Sequence, residues 1–343
     1  DCGNASSPHA EGRAARAAID RARERVAALI GCAAREVLFT SGATEANALA
    51  LLGSGASRFF ASAIEHPSVL RLLESHLPSL DLVVGPVAAD GHLATGSGPG
   101  PDRELVSVML ANNETGAIQD VAEIAATARG FGAIVHCDAV QAAGKIPVDV
   151  EDLGVDLLTL SAHKMHGPKG AGALYVRSGR RLEPLYHGGE HDRGLRSGTV
   201  NVAAIVGLGA AAMYAAAEQD ARARRWSILK RRLTERLASA FPDARIRSHE
   251  PCLANTLCVT FPGAEGEAVL LGLDLLGIAV ATGSACSSGA AEPSHVLLAM
   301  GLSREEAEQT IRISFHGGTC EKEIDRLAGA LADVVSRLRG LGT

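Results

Sequence analysis

Apolar residues follow two alternating spacings along the first half of the chain. Near the start, Ala15, Ile19, Ala22, Val26 and Leu29 recur every three or four residues, which predicts an amphipathic helix over about residues 10–30. Short apolar runs of strand length then alternate with segments of helical spacing. The runs predict strands at 36–40, 58–64, 105–110, 133–137, 156–160 and 172–176, and the segments between them predict helices at 44–52, 68–76 and 120–129. This alternation predicts an α/β fold whose sheet is mostly parallel and carries helices on both faces.

A long helical stretch, residues 202–240, leads out of this first unit. Beyond it, apolar runs predict strands at 255–261 and 310–315, and helical spacing predicts helices at 265–276 and 322–338. These elements form a smaller α+β unit. We therefore predict a large domain over residues 11–220, and a small α+β domain over residues 221–343 that also includes residues 1–10.

Composition narrows the class of protein. The chain has 343 residues, of which 47% are hydrophobic and 21% charged, values typical of a globular protein. A net charge of −6 argues against nucleic acid or a membrane surface as the main partner, and no apolar run is long enough to predict a membrane span. Seven cysteines without a C-x-x-C pair, and a start without the features of a signal peptide, predict reduced thiols in the cytoplasm. His163 and His166 lack a third ligand at suitable spacing, so no metal site is expected.

The most informative polar residues follow two predicted strands. Lys164 comes after the strand at 156–160, and Asp138 and Gln141 come after the strand at 133–137. In a parallel sheet, ligands collect at the carboxyl ends of the strands. A lysine facing an acid there is what a pyridoxal phosphate (PLP) enzyme needs, because the lysine forms a Schiff base and the acid keeps the pyridine nitrogen protonated. The alternative for Asp138 is a helix-capping aspartate. Ser161 and His163 are placed to hold a phosphate.

Three further segments have both a functional and a plain interpretation. Ala43 and Thr44 open a helix, whose N-terminus can bind an anion or can simply form a tight turn. His66 is either a catalytic imidazole that stacks on a flat ring and moves protons, or a surface residue before a proline. Asn113 follows a strand and suits a substrate carboxylate, although paired asparagines are also turn formers.

Two residues in the second half of the chain stand out. Cys286 lies in a glycine-bounded loop of small residues, so its thiol is expected to be accessible and nucleophilic. The other cysteines considered, Cys32, Cys137, Cys252 and Cys258, lie in apolar contexts that are typical of inert thiols. Arg312 lies within a strand, where it would either pair with an acid or bind a carboxylate through two hydrogen bonds.

Taken together, these motifs resemble the cysteine desulfurases of the NifS/IscS type, within the class V aminotransferase superfamily. The resemblance runs through nearly the whole chain and implies PLP fold type I and a homodimer with active sites at the subunit interface. The segments that carry it are 41–45, 65–66, 112–114, 138–141, 161–164, 167–170, 196–199, 283–286, 292–295 and 311–314.

The resemblance implies a role for each matching residue. Lys164 is the Schiff-base lysine, Asp138 pairs with the pyridine nitrogen, Gln141 contacts the ring hydroxyl and His66 stacks on the ring. The implied phosphate ligands are Ala43, Thr44, Ser161 and His163, with Thr199 supplied by the partner subunit. Asn113 and Arg312 hold the carboxylate of L-cysteine. Lys164 removes the Cα proton, Cys286 accepts the sulfur as a persulfide, and L-alanine leaves.

The persulfide sulfur would then pass to an acceptor protein for iron–sulfur cluster assembly or thiolation. The alternatives are a selenocysteine lyase or another PLP-dependent β-elimination enzyme, and a weakly active sulfur-relay scaffold of the same fold. The sequence departs from the family pattern at three places. It starts after the family's usual first strand and turn, so we expect a more open active site. It has His316-Gly317-Gly318 where an arginine-containing segment is common, and it ends without the C-terminal extension that some relatives use to dock a scaffold.

Overall fold

The computed structural model describes residues 3–189, 192–283 and 292–341. Within these residues the chain forms two compact units. Unit 1 contains residues 3–85, 95–111, 119–189 and 192–219, and unit 2 contains residues 86–94, 112–118, 220–283 and 292–341.

Unit 1 is built on a seven-stranded sheet. The strands are β1 (Val37–Thr40), β2 (Arg58–Ser62), β3 (Asp81–Gly85), β4 (Leu105–Ser107), β5 (Ile134–Asp138), β6 (Leu157–Ser161) and β7 (Gly172–Val176). The helices are α1 (Ala10–Leu29), α2 (Ala43–Leu52), α3 (Pro67–Glu74), α4 (Val121–Gly130), α5 (Val150–Leu153) and the first part of α6 (Val202–Ala240), with short 3-10 helices at Ala34–Glu36, Ala162–Met165 and Asp192–Gly194.

The strand order is β1-β7-β6-β5-β4-β2-β3. Strands β3, β2, β4, β5 and β6 pair in parallel, whereas β7 is antiparallel to both β6 and β1. The predicted α/β fold with a mostly parallel sheet flanked by helices is therefore confirmed. Because parallel strands run in one direction, Asp138 at the end of β5 and Ser161 at the end of β6 emerge at the same edge of the sheet.

Burial differs between the inner strands and the edge strand β3. Every residue of β6 and β7 is buried, and both strands are mostly apolar, with Thr159 and Ser161 as the polar residues of β6. Strand β3 lies at the sheet edge with Val83 and Val84 exposed, and its short apolar run at residues 82–84 is not among the predicted strands.

Unit 2 contains a four-stranded antiparallel sheet in the order β10-β11-β9-β8. Its elements after α6 are β8 (Arg245–Ile246), β9 (Thr256–Thr260), α7 (Gly266–Asp274), β10 (Ala281–Thr282), α8 (His295–Ala299), α9 (Arg304–Glu308), β11 (Thr310–Ser314) and α10 (Glu321–Leu341). One apolar core joins the last part of α6, through Trp226 and Leu233, with α7, α10 and the inner strands β9 and β11.

The division into units differs from the predicted domain bounds in two ways. Residues 3–10 belong to unit 1, where the main-chain oxygen of Ala5 accepts a 3.0 Å hydrogen bond from Arg16 Nε on α1. Residues 86–94 and 112–118 belong to unit 2. The main-chain bonds from Ile118 N to Pro251 O (2.9 Å) and from Leu253 N to Gly116 O (2.8 Å) hold the second of these segments there. Such pairings between distant segments leave no trace in local periodicity.

Helix α6 continues across the division at Gln219 and Asp220. Among the described residues it is the one helix that is long and apolar enough to cross a membrane by length and composition, a property that core helices share. In the same part of the chain, no group of three or more His, Cys, Asp or Glu side chains is arranged to hold a metal ion.

One ionisable group lies in the middle of the unit 1 sheet. His136 on β5 is fully buried, with Nδ1 2.8 Å from Ser107 Oγ on β4 and Nε2 3.1 Å from Thr159 Oγ1 on β6. Burial lowers the pKa of this imidazole to about 3, because desolvation disfavours its charged form. His136 therefore crosslinks three strands as a neutral group.

The neutral state of His136 predicts a specific loss of stability in acid. The folded protein does not protonate His136 until about pH 3, whereas the unfolded chain does so below its ordinary value of 6.5. Below the higher value, the wild-type protein should therefore lose about 1.4 kcal/mol per pH unit relative to His136→Gln. Urea unfolding midpoints at about pH 7.5 and about pH 5 measure this difference. His76→Gln changes an exposed histidine of unit 1 and should keep the wild-type pH dependence. The same change in unfolding midpoint between the two pH values in all three proteins would contradict the assignment of His136.

Candidate active site

The carboxylate of Asp138 is the buried centre of the unit 1 site. Its Oδ2 accepts a 2.9 Å hydrogen bond from Asn47 Nδ2 on α2, and its Oδ1 accepts one of 3.0 Å from Val140 N. Burial raises the pKa of Asp138, while these two hydrogen bonds and the positive charges of His66 and Lys164 act in the opposite direction. A carboxylate in this position is costly to bury and is suited to a cationic partner.

Asn47 connects Asp138 to His66 through Ser68. The Nδ2 group of Asn47 also lies 2.9 Å from Ser68 Oγ, which lies 2.8 Å from His66 Nδ1. The same His66 Nδ1 accepts the Ser68 N–H at 3.1 Å and so caps α3. Because Nδ1 is an acceptor, the neutral imidazole carries its proton on Nε2. The exposed His66 ring is thereby held in one orientation by the residues that hold Asp138.

Lys164 and the residues beside it lie just past the end of β6. Lys164 belongs to the 3-10 helix Ala162–Met165, and its charge is felt at Asp138 on the neighbouring strand. Ser161 is buried, and its Oγ lies 2.9 Å from His163 Nδ1. Burial lowers the pKa of His163, and the nearby charges of Lys164 and Lys169 lower it further. A neutral His163 can donate a hydrogen bond without adding charge.

The N-terminus of α2 has the form of an anion site. Its N-cap is Gly42, which has no side chain to occupy the N–H groups of the first turn, where Ala43 and the exposed Thr44 lie. Strand β7 packs tightly against this turn, since a Cβ on Gly172 would lie 2.7 Å from Gly42 Cα. Only glycine at position 172 permits this approach.

The structure gives a contact for Gln141 and a position for Thr199, two of the predicted cofactor residues. Gln141 Oε1 accepts a 2.7 Å hydrogen bond from Lys145 Nζ. Thr199 is exposed in the loop before α6, three residues after Arg196, which forms a 3.1 Å ion pair with Glu45 on α2. The roles assigned to Gln141 at the ring hydroxyl and to Thr199 at the phosphate of a partner subunit stay predictions.

The two predicted substrate residues, Asn113 and Arg312, both lie in unit 2. Arg312 on β11 donates from Nη1 to the main-chain oxygen of Asn113 at 2.7 Å. Its buried Nε has no hydrogen-bond partner among the described residues. An unpaired N–H of a guanidinium is suited to a carboxylate, which can accept from a guanidinium at two positions. The contact with Asn113 is made by the main chain, so the role of the Asn113 side chain stays a prediction.

Cys286 lies outside the described residues, in the segment 284–291. The cysteines expected to be inert have the properties of protected thiols. Burial raises the pKa of Cys32 to about 12 and raises the pKa of Cys137, Cys252 and Cys258 as well.

The residues of unit 1 fit PLP in three respects. A buried carboxylate, Asp138, is held ready for the protonated ring nitrogen. A lysine, Lys164, lies close enough for its charge to act on that carboxylate. An uncapped helix N-terminus at Gly42, with the Ser161–His163 pair, offers donors for a phosphate.

Sequence reasoning missed the residues that support these groups. Asn47 and Ser68 were not singled out, although a lone asparagine in the apolar run of α2 is a detectable signal. Glu65 and Glu114 belong to the family-like motifs but were given no role. Glu65 is fully buried, and its Oε1 accepts a 2.7 Å hydrogen bond from Met109 N. Burial raises its pKa well above the ordinary value. Buried polar residues of this kind hold other site residues in place through hydrogen bonds. Their spacing in the sequence does not distinguish them from residues of the core.

The fold and this constellation define a PLP-dependent enzyme of fold type I. The chain belongs to the class V aminotransferase family, whose pattern matches residues 2–327. It is similar to a cysteine desulfurase of Cereibacter sphaeroides, with 44% identity over 353 residues that cover 99% of this chain and 90% of that protein.

Two solved structures extend the comparison. A NifS-like protein superposes with a TM-score of 0.91 at 36% identity, over 98% of this chain and 92% of that chain. A structure of SspA in complex with cysteine superposes with a TM-score of 0.80 at 33% identity, over 92% of this chain and 91% of that chain. The predicted family and the predicted cofactor are confirmed.

The hydrogen bonds of Asn47 predict its importance for cofactor binding. Asn47→Leu keeps the size of the side chain but removes its bonds to Asp138 and Ser68, so the Asp138 carboxylate becomes harder to keep ionised. We expect PLP affinity to fall about tenfold or more, the magnitude of a lost hydrogen bond to a charged group. Equilibrium titration of the apoprotein with PLP, followed by absorbance, measures the effect. Asn201→Ala, which removes a hydrogen bond near the start of α6, is the control; wild-type affinity in Asn47→Leu would contradict this support role.

Proposed function

We propose that this protein is a PLP-dependent cysteine desulfurase that converts L-cysteine to L-alanine and retains the sulfur on Cys286 as a persulfide. The observation that carries the proposal is the 44% identity to a cysteine desulfurase over 99% of the chain. The cysteine complex of the similar protein SspA supports L-cysteine as the substrate.

Unit 1 would hold the cofactor with the residues described above. Lys164 would attach it covalently, Asp138 would face its ring nitrogen, and the α2 N-terminus with Ser161 and His163 would bind its phosphate. When bound, PLP withdraws the electrons released at the substrate Cα. Asp138 keeps this capacity high because its negative charge stabilises a proton on the ring nitrogen.

Proton transfer falls to Lys164 and His66. The Lys164 amine would act as the general base that takes the Cα proton of the substrate. His66 is oriented through its Nδ1 by Ser68, and we assign proton exchange with the substrate to its Nε2.

Recognition of the amino acid falls to Arg312. Its unpaired Nε and its guanidinium charge are suited to the α-carboxylate, and the bond to the Asn113 main chain fixes the side chain. Replacement by lysine would lose the planar arrangement of donors even though the charge is kept.

Sulfur transfer falls to Cys286. Its thiolate attacks the substrate sulfur, so that an S–S bond forms while the Cβ–S bond of the substrate breaks. The substrate carbon takes up a proton in place of sulfur and leaves as L-alanine. The sulfur of the substrate thiol becomes the outer atom of a persulfide on Cys286. In the next transfer, a nucleophile of the acceptor can attack this outer sulfur.

The persulfide is proposed to be delivered to an acceptor protein of iron–sulfur cluster assembly or of a thiolation pathway. We also propose that the enzyme works as a homodimer in the cytoplasm. Size-exclusion chromatography with light scattering tests the dimer, and fractionation of cells tests the location. The free cysteines among the described residues are consistent with a reducing compartment.

Replacing Lys164 tests its attachment to the cofactor. Lys164→Ala should lose the yellow absorbance of lysine-attached PLP, and turnover should drop by several orders of magnitude because the base is lost as well. Lys322→Ala changes an exposed lysine on α10 and should behave like the wild type. A variant at position 164 that keeps both the absorbance and the activity would refute the assignment.

Replacing Cys286 separates sulfur transfer from cofactor binding. Cys286→Ser should bind PLP normally and still change its spectrum with L-cysteine, but it should form no persulfide. Mass spectrometry of the Cys286 peptide after incubation with L-cysteine should show one added sulfur atom in the wild type and in the control Cys320→Ser. Full alanine production by Cys286→Ser, or a strong preference for selenocysteine, would indicate a lyase. A protein that cannot be reconstituted with PLP would indicate a scaffold.

A further inference from the structure

Glu114 lies in a rigid turn of unit 2, next to Asn113. Asn112 Oδ1 accepts hydrogen bonds from Glu114 N at 2.8 Å and from Thr115 N at 3.0 Å, which fixes the turn internally. The turn is tied to the rest of unit 2 by the 2.6 Å bond from Ser248 Oγ to Thr115 O. The Glu114 side chain is therefore held in place by its main chain.

The Glu114 carboxylate is enclosed by residues from distant parts of the sequence. The side chain is buried, and Oε2 accepts a 2.5 Å hydrogen bond from Ser294 Oγ. On another side the space is filled, because a Cβ on Gly283 would lie 2.3 Å from the same oxygen and 2.8 Å from Ser294 Cβ. Glu114 thus contacts a residue on each side of the segment 284–291.

Two ionisable groups of the sheet interact electrostatically with Glu114. Arg312 lies on β11, and its charge lowers the pKa of Glu114. Cys258 lies opposite Arg312 on β9, and burial, followed by the charge of Glu114, raises its pKa, so this thiol stays neutral. Arg247 also acts on Cys258 but is paired with Glu306 at 2.9 Å. Arg312 is therefore the cation that Glu114 meets.

Burial outweighs the contributions of Ser294 and Arg312 and raises the pKa of Glu114 to about 7. Close to neutral pH, Glu114 can therefore be present with or without its proton. The Ser294 hydroxyl suits both states, because it donates to the carboxylate and can accept from the acid.

The charge of Arg312 therefore interacts with two carboxylates, that of Glu114 and that of a bound ligand. Arg312 Nη1 donates to the Asn113 main chain, and its Nε is buried without a hydrogen-bond partner among the described residues. When Glu114 is ionised, part of the Arg312 charge is already balanced. When Glu114 is protonated, the full charge is available to a ligand.

We propose that Glu114 is a positioning residue that sets the affinity of Arg312 for the substrate carboxylate, and that carboxylate binding at Arg312 is accompanied by proton uptake at Glu114. The inference rests on the proposed function, in which Arg312 binds the α-carboxylate of L-cysteine. It adds a residue that does not touch the substrate and acts through Arg312.

The sign of the effect follows from linkage. A bound carboxylate repels the ionised form of Glu114, so ligand binding favours the protonated form, and protonation in turn favours ligand binding. Affinity should be highest below the pKa of Glu114 and should fall as the pH rises through it, by at most about tenfold per pH unit.

The test measures binding of L-alanine, the product that lacks sulfur, to the PLP-loaded enzyme between about pH 6 and pH 9. Isothermal titration in two buffers of different ionisation enthalpy also counts the protons taken up. We expect the wild type to bind L-alanine more weakly as the pH rises and to take up a fraction of a proton near neutral pH. In Glu114→Gln, the part of the pH dependence of L-alanine affinity that is due to Glu114 should be lost, and so should the proton uptake. The KM of the variant for L-cysteine should likewise lack the pH dependence that Glu114 gives to the wild type.

Glu323→Gln is the matched control for the loss of a glutamate charge in unit 2. Glu323 lies on α10, where its Oε2 accepts from Cys320 N at 2.8 Å, and the variant should keep the wild-type profile.

A pair of serine variants supports the test if Glu114→Gln does not fold. Ser294 and Ser303 cap the short helices α8 and α9 in the same way, but of the two only Ser294 bonds to Glu114. Ser294→Ala should move the pH transition upward, because the Ser294 bond lowers the pKa of Glu114. Ser303→Ala should leave the transition in place. Identical profiles for these two variants would overturn the inference.

Arg312→Ala separates this inference from the proposed function. If Arg312→Ala abolishes L-alanine binding while Glu114→Gln keeps the wild-type pH profile and proton uptake, the role of Glu114 is refuted and the proposed function stands. If L-alanine binding is the same with and without Arg312, the carboxylate site of the proposed function is refuted, and the role of Glu114 is refuted with it.

Discussion

The hydrogen-bonded burial of the Asp138 carboxylate is the interaction on which the site depends. A charge at the end of an inner strand is expensive unless donors and cations surround it. Asn47 and Val140 supply the donors, and Lys164 supplies positive charge. The same arrangement orients His66 through Ser68. One buried acid thus organises groups from α2, α3 and the end of β6, which is why the removal of a supporting amide should weaken cofactor binding.

Three buried ionisable groups, His136, Asp138 and Glu114, differ in how their surroundings affect their protonation. His136 has only hydroxyl partners and stays neutral. Asp138 has two donors and the nearby positive charge of Lys164, all of which oppose the effect of burial on its pKa. Glu114 has one hydroxyl donor and one arginine, which leaves its pKa near neutrality. The number of donors and the presence of a cation, rather than burial alone, decide which form of each group is stable.

The sequence indicated the residues at strand ends because they follow apolar runs directly. Asp138, Ser161 and Lys164 were predicted in this way, and β7 was predicted with its observed bounds, Gly172–Val176. The supporting residues were not, because Asn47 and Ser68 act through contacts between different helices and strands. Strand β3 was missed because its apolar residues, Leu82, Val83 and Val84, form too short a run to identify an edge strand by itself. The placement of residues 112–118 in unit 2 depends on main-chain bonds to residues 251–253, which no local pattern records.

Local sequence by itself determined the alternation of strands and helices, the mostly parallel sheet and the strand-end positions of the lysine and the acid, since periodicity and apolar runs depend on neighbouring residues. Tertiary structure alone decided which side chains share a proton or a charge. The Asn47 bridge joins residues 91 positions apart, and the Glu114–Ser294 bond joins residues 180 positions apart. Such pairs arise only when folding brings distant segments together, and their energies depend on the burial that folding creates.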